Sequence, residues 1–172
     1  MIKKFCFLLI SFYSLNAFAG KTHDVLAKQN TGHAASSADN GTLTTHDAPL
    51  RNLEEMGESL TEPEIKNIAH QLLSYVKGLH ARNLMQPNLT RRNVLVDHDF
   101  NVIVPSPTAD DAIPPLGYTA PEMLLNLPEF DNRMDTWSIG VIISEMFLRR
   151  PLLGRKFTEL SQIRQIVLVL GD

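Results

Sequence analysis

Between Leu79 and Val104 the chain reads Leu-His-Ala-Arg-Asn-Leu-Met-Gln-Pro-Asn-Leu-Thr-Arg-Arg-Asn-Val-Leu-Val, a polar break, then Asn-Val-Ile-Val. This is where chemistry is to be sought. Arg91 and Arg92, with Arg82 nearby, form a candidate basic patch for a phosphate or an acidic peptide, although adjacent arginines are more often a solvated pair. Asn93 has the type and setting of an asparagine that hydrogen-bonds its own loop. His70 and His80 fall on one helix without the paired spacing of a metal site, so capping or surface roles are expected for them. Asn40-Gly41-Thr42 and Asn88-Leu89-Thr90 are glycosylation sequons.

These residues must be positioned by elements, and the pattern around them names several. Thr61-Glu62-Pro63-Glu64 is a helix start: Thr61 caps, Pro63 stands where a missing N–H costs little, and Glu64 can close a capping box. Ile65, Ile68, Ala69, Leu72, Leu73, Val76 and Leu79 then keep one apolar face to about His80. Val94-Leu95-Val96 and Val102-Ile103-Val104, joined by Asp97-His98-Asp99-Phe100-Asn101, predict a hairpin. Pro105 to Gly117 contains four prolines and reads as loop. Met134 to Phe147 is apolar nearly all round, the mark of a helix buried inside a domain, and Trp137 on it reads as core. Leu160, Ile163, Ile166, Val167 and Leu170 predict a last amphipathic helix. Leu50, Leu53 and Met56 share one face of a short helix near the start of the folded part.

The chain has 172 residues, 44% hydrophobic and 20% charged, which suits one modest domain. Met1-Ile2-Lys3-Lys4, the apolar run Phe5 to Leu15 and Ala17-Phe18-Ala19 have the form of a signal peptide over residues 1–19, and the run is too short to span a bilayer comfortably. The expectation is therefore a secretory or extracellular protein with no membrane contact after cleavage. Cys6, the only cysteine, lies inside that segment, so the mature chain is expected to form neither a disulfide nor a thiolate metal site. Lys3 and Lys4 are its only charges, and their loss moves the net charge from −3 to −5. An acidic mature chain argues against nucleic acid as a partner. Residues 20–48 are small and polar and read as a disordered leader.

The order of landmarks resembles the C-terminal lobe of eukaryotic protein kinases: helix, loop, hairpin, proline-rich loop, Tyr118-Thr119-Ala120-Pro121-Glu122, then Asp135-Thr136-Trp137-Ser138-Ile139-Gly140. Met123-Leu124-Leu125-Asn126-Leu127-Pro128, Leu152-Leu153-Gly154 and Ile163-Arg164-Gln165-Ile166 to Leu170-Gly171 are similar to the stress-activated branch of the MAP kinases. The resemblance covers about residues 49–172. It implies a mainly α fold, a partial kinase-like C-lobe with one small β-hairpin. It also implies structural roles for Glu122, in an ion pair, and for Asp135, as a brace of the catalytic-loop backbone.

The chain departs from the family at its chemical positions. Gln86-Pro87-Asn88 stands where the family has His-Arg-Asp, and an amide at Asn88 has no lone pair basic enough to act as a general base. Thr90 replaces the phosphate-contacting lysine. Asn93 matches the metal-binding asparagine, yet its partner aspartate falls at Ser106, and a neutral hydroxyl is a poor Mg²⁺ ligand. Nothing upstream of Pro49 resembles the glycine-rich loop or the strand lysine that hold ATP, and the loop from Ser106 to Tyr118 lacks the Thr-x-Tyr activation pair. The expectation is thus a pseudokinase, not an enzyme, with no catalytic residue, no cofactor and no metal, acting by binding a protein or docking peptide. That partner would meet the regions of Leu50 to Leu60 and Val96 to Phe100. The alternatives are a serine/threonine kinase whose N-terminal lobe is supplied elsewhere, and a non-functional truncated fragment. A glycan on Asn88 would sit at the former catalytic position.

Overall fold

The computed structural model describes residues 49–57, 59–106, 114–127, 131–154 and 158–170. The signal-peptide and leader segments, with Asn40, lie outside them. Within them lie five helices and one small sheet, in the order β1 (Arg51–Asn52), α1 (Leu53–Met56), α2 (Glu62–His80), β2 (Leu95–Val96), β3 (Val102–Ile103), α3 (Pro121–Leu124), α4 (Arg133–Leu148) and α5 (Glu159–Leu170).

α2 starts where its sequence dictates. Glu64 closes the capping box by accepting the Thr61 N–H at 2.6 Å, and Pro63 occupies the first turn. Its buried residues are Ile65, Ile68, Leu72, Val76 and Leu79, one stripe at helical spacing. α4 has no such stripe because it is covered on most sides: Ile139, Val141, Ile142, Ile143 and Met146 are all buried. The two helices meet in the main core together with Leu53, Leu60, Leu89, Val94 and Val96. Each fully buried Leu or Ile there contributes about 1.5–3 kcal/mol before conformational entropy is set against it. α4 ends at Arg149, which takes a left-handed conformation with φ 58°, and its guanidinium donates to the Leu60 carbonyl.

The hairpin turns on Asp97. Its carboxylate accepts the N–H groups of Asp99 (2.9 Å) and Asn101 (2.8 Å) and the Asn101 side-chain amide (2.8 Å). Burial works against the charge, but these donors outweigh it and hold the Asp97 carboxyl below its usual range. Gln71 of α2 then staples the hairpin, donating to Phe100 O (2.8 Å) and accepting from Val102 N (2.9 Å).

The sheet is one strand wider than the hairpin read from the sequence. β1 pairs antiparallel with β2, Arg51 opposite Val96, giving the order β1-β2-β3. Two residues are too few to show an alternating pattern, and Arg51-Asn52 is polar. Pro121–Leu124 likewise forms a single helical turn that the sequence reading left unassigned.

Candidate functional site: a braced loop and a shelf

The loop from Gln86 to Asn93 hangs between α2 and α4. Its apolar residue Leu89 is fully buried, and Val94, just past its end, is buried too. Asn93 folds the tip: its Nδ2 donates to Asn88 O, and its Oδ1 accepts Thr90 N (2.8 Å) and Thr90 Oγ1 (3.2 Å). Asn88 is half-buried and Thr90 buried, so the Asn88-Leu89-Thr90 sequon is folded into the loop.

Three elements fix the base of the loop, all through Gln86. Its N–H donates to Asp135 Oδ2 of α4 (3.0 Å), its side-chain oxygen accepts Tyr75 OH of α2 (3.2 Å), and its side-chain N–H donates to Pro105 O beyond β3 (3.2 Å). His80, at the end of α2, meets the same Asp135 oxygen with Nε2 at 2.9 Å. Burial, then the Asp135 charge, pushes the Tyr75 phenol above its usual range, with Arg82 opposing. The sequence reading placed Gln86 at the family's histidine position without giving it a role and assigned His80 to a cap or the surface; of the two α2 histidines, His70 is the exposed one. The signal for His80 lay in pairing it with Asp135, 55 residues away.

The second half of the site is a shelf from Gly117 to Glu122. Tyr118 OH donates to the buried Glu145 at 2.7 Å, and Ser138 Oγ donates to Tyr118 O at 3.1 Å. Thr119 Oγ1 donates to Pro114 O at 3.0 Å. Glu122 lies half-buried in the first turn of α3. Trp137, also half-buried, packs against both apolar clusters of the protein. Loop and shelf are therefore both bolted to α4.

The basic patch read from the sequence is taken apart. Arg91 is buried and donates to Leu53 O (2.8 Å), while Arg92 pairs with Glu54 (2.9 Å) on the surface. Arg82 turns back to Gly78 O. Ser106 is exposed at the strand end; Pro107 and Thr108 lie outside the described residues. In the docking region, Leu53, Met56, Leu60 and Val96 are spent on the core, and Leu50 is exposed.

A loop and a shelf anchored on one buried helix match the arrangement of the larger lobe of a protein kinase. The protein kinase domain model matches residues 37–170, and the chain belongs to that family. It is 32% identical over 130 residues to serine/threonine-protein kinase ppk23 of Schizosaccharomyces pombe, covering 69% of this chain and 32% of that protein. It is 31% identical to cyclin-dependent kinase 11B of Mus musculus, over 70% of this chain and 17% of that protein. To the mitogen-activated protein kinase homolog NTF6 of Nicotiana tabacum it is 29% identical, over 73% of this chain and 36% of that protein. The chain thus spans about a third or less of the length of these relatives.

The expectation that the chain is not an enzyme is corrected by these likenesses. The matching family is the protein kinase domain, and the relatives are named as kinases, which points to an enzyme. That expectation rested on the side chains at Asn88, Thr90 and Ser106 and on the N-terminal-lobe and activation-loop motifs not found in the sequence, and it set these above the scaffold. The scaffold, built from scores of apolar and hydrogen-bonding positions, sets the family. Side chains at the loop tip are single substitutions on it.

The family implies a nucleotide with Mg²⁺, and the residues present do not fit the metal. Asn93 Oδ1 is occupied by Thr90, Ser106 offers a neutral hydroxyl, and no group of three His, Cys, Asp or Glu residues converges among the described residues. No helix among them is long and apolar enough to cross a membrane.

Proposed function

We propose that this chain works in protein phosphorylation as the substrate-side lobe of a serine/threonine kinase of the cyclin-dependent and MAP kinase group. In this reading the loop Gln86–Asn93 and the shelf Gly117–Glu122 receive an extended serine- or threonine-containing segment, and the nucleotide is held by an N-terminal lobe supplied elsewhere. Phosphoryl transfer depends on positioning more than on covalent chemistry, so a rigid acceptor platform is a functional part in its own right. The observation that carries the reading is the shared anchorage on α4: Asp135 holds Gln86, while Ser138 and Glu145 hold Tyr118. Kinase relatives in both groups support it.

The test is retention and labelling of an arrayed serine/threonine peptide set by the full chain with labelled ATP and Mg²⁺, alone and with a kinase N-terminal lobe added. Peptide retention in both conditions is expected, with label transfer only where the added lobe also supplies the groups that hold Mg²⁺. Neither retention nor transfer in either condition overturns the reading.

A second reading concerns a docking-peptide partner near Leu50, a residue 46% exposed beside β1. Polarisation of a labelled hydrophobic-basic peptide should rise with the full chain, and Leu50→Asp should abolish the rise. No rise at any accessible concentration discards it.

A further inference from the structure

α2 and α5 both run along the surface, and they turn opposite faces outward. From Lys66 to Lys77 the exposed positions of α2 are Lys66, Asn67, His70, Ser74 and Lys77, all polar, over an apolar inner stripe. α5 reverses that order. Leu160, Val167 and Leu168 are 78%, 61% and 65% exposed, the three highest values among the large apolar residues described. With Arg164 they stand at i, i+4, i+7 and i+8, which is one face of the helix. On the inner side, one turn before Ile166 of the smaller apolar cluster, Gln162 is fully buried and neither atom of its side-chain amide has a hydrogen-bond partner. An amide buried unpaired and three aliphatic side chains left in water both cost free energy. A helix that is apolar toward solvent as well as toward the core has the pattern of one covered on both sides.

The face itself limits what can cover it. In mid-helix the N–H and C=O groups of α5 are bonded within the helix, so it offers no edge to an extended strand. A partner must satisfy its own backbone, as a helix does. Arg164 lies between Leu160 and the Val167–Leu168 pair, is exposed, and makes no ion pair with another described residue. A surface that closes over the stripe must either meet this guanidinium with a carboxylate or bury it unpaired, which is costly. A second copy of α5 fails that condition, because a two-fold contact centred on the stripe sets Arg164 against its own counterpart.

We propose that the outer face of α5 is a docking surface for an amphipathic helix of another protein, one whose apolar stripe is interrupted by an acidic residue that pairs with Arg164. Leu160 and the Val167–Leu168 pair supply the apolar contacts on either side, and Arg164 sets register and partner choice. No residue of the loop or the shelf belongs to this face, so it stands or falls apart from the substrate-side reading.

The test titrates the full chain into two fluorescent peptides of about 18 residues, long enough to hold a helix on contact. Both carry leucines along one face; the middle of that face is glutamate in one and lysine in the other. Polarisation should rise with the glutamate peptide, and the lysine peptide should bind about fivefold more weakly or worse. Arg164→Glu should invert that preference, and Leu168→Gln should weaken both peptides. Both positions are exposed, so the melting temperatures of the variants should stay within about 3 °C of the unaltered chain. Should either variant fail to melt cooperatively, the two peptides against the unaltered chain decide alone. Equal affinity for the two peptides, binding of neither, or a dimer by light scattering that Leu168→Gln dissolves overturns the proposal.

Discussion

The core between α2 and α4 and the loop Gln86–Asn93 are held by different physics. The core is held by area: Leu72 and Ile142 are fully buried, and any apolar side chain of similar volume would serve. The loop is held by direction: Gln86, Asn93 and Asp135 act through hydrogen bonds that depend on which atom is a donor. The contrast teaches that a kinase-like scaffold can be kept by apolar positions while the polar positions of its loop change identity, provided the new side chains still meet the backbone. Gln86 is the clearest instance, since one amide side chain ties α2 to the strand end.

That contrast can be tested by substitutions of decreasing effect. Ile142→Ala should cost about 3 kcal/mol in a denaturant melt, because it opens a cavity between the helices, and both regions should loosen together. Loosening confined to the core would break the claim that the loop hangs from it. Tyr118→Phe should cost about 2 kcal/mol, since it deprives the buried Glu145 of a donor at 2.7 Å. Its effect should be concentrated in the shelf and read as faster exchange at Thr119 and Ala120. Asn93→Ala should cost about 1 kcal/mol in global stability yet remove peptide retention, because the tip loses its internal bonds while the core is untouched.

The smallest effect is expected at the hairpin turn and depends on acid. The Asp97 carboxyl is held below its ordinary value, so its contribution is complete above about pH 4 and is lost as pH falls through the lowered value. Protection of the Asn101 amide should therefore drop in strong acid, and Asp97→Asn should flatten that response. An unchanged Asn101 profile would mean that Gln71 alone holds the turn.

Much of this architecture was legible in the chain. The capped start of α2 at Thr61 and its stripe to His80, the strands flanking Asp97, and the all-round apolar α4 emerge close to their expected bounds. Local signals located them because caps and periodicity act within a few residues. β1 was not legible, because Arg51 and Asn52 become a strand only through a partner far along the chain. For the same reason Arg91 passed for surface, although it is drawn under α1 by the Leu53 carbonyl. In the site, Asp135 was assigned its bracing role by resemblance. The contacts of Gln86 and His80 with it were missed because nothing in an isolated helix end or loop reveals which buried charge it will face.

The pairing of Arg51 with Val96 has a consequence for how the protein folds. α2 and the hairpin form from neighbours in sequence, whereas β1 reaches β2 across a stretch of some 45 residues and bears the entropy of closing it. Leu53 follows β1 directly and is fully buried in the main core, with its N–H on Val94 O. The first of the described segments is thus tied to the core twice, through the β1–β2 ladder and through Leu53, so a truncation that removes Arg51 to Leu53 should open the main core as well as the sheet.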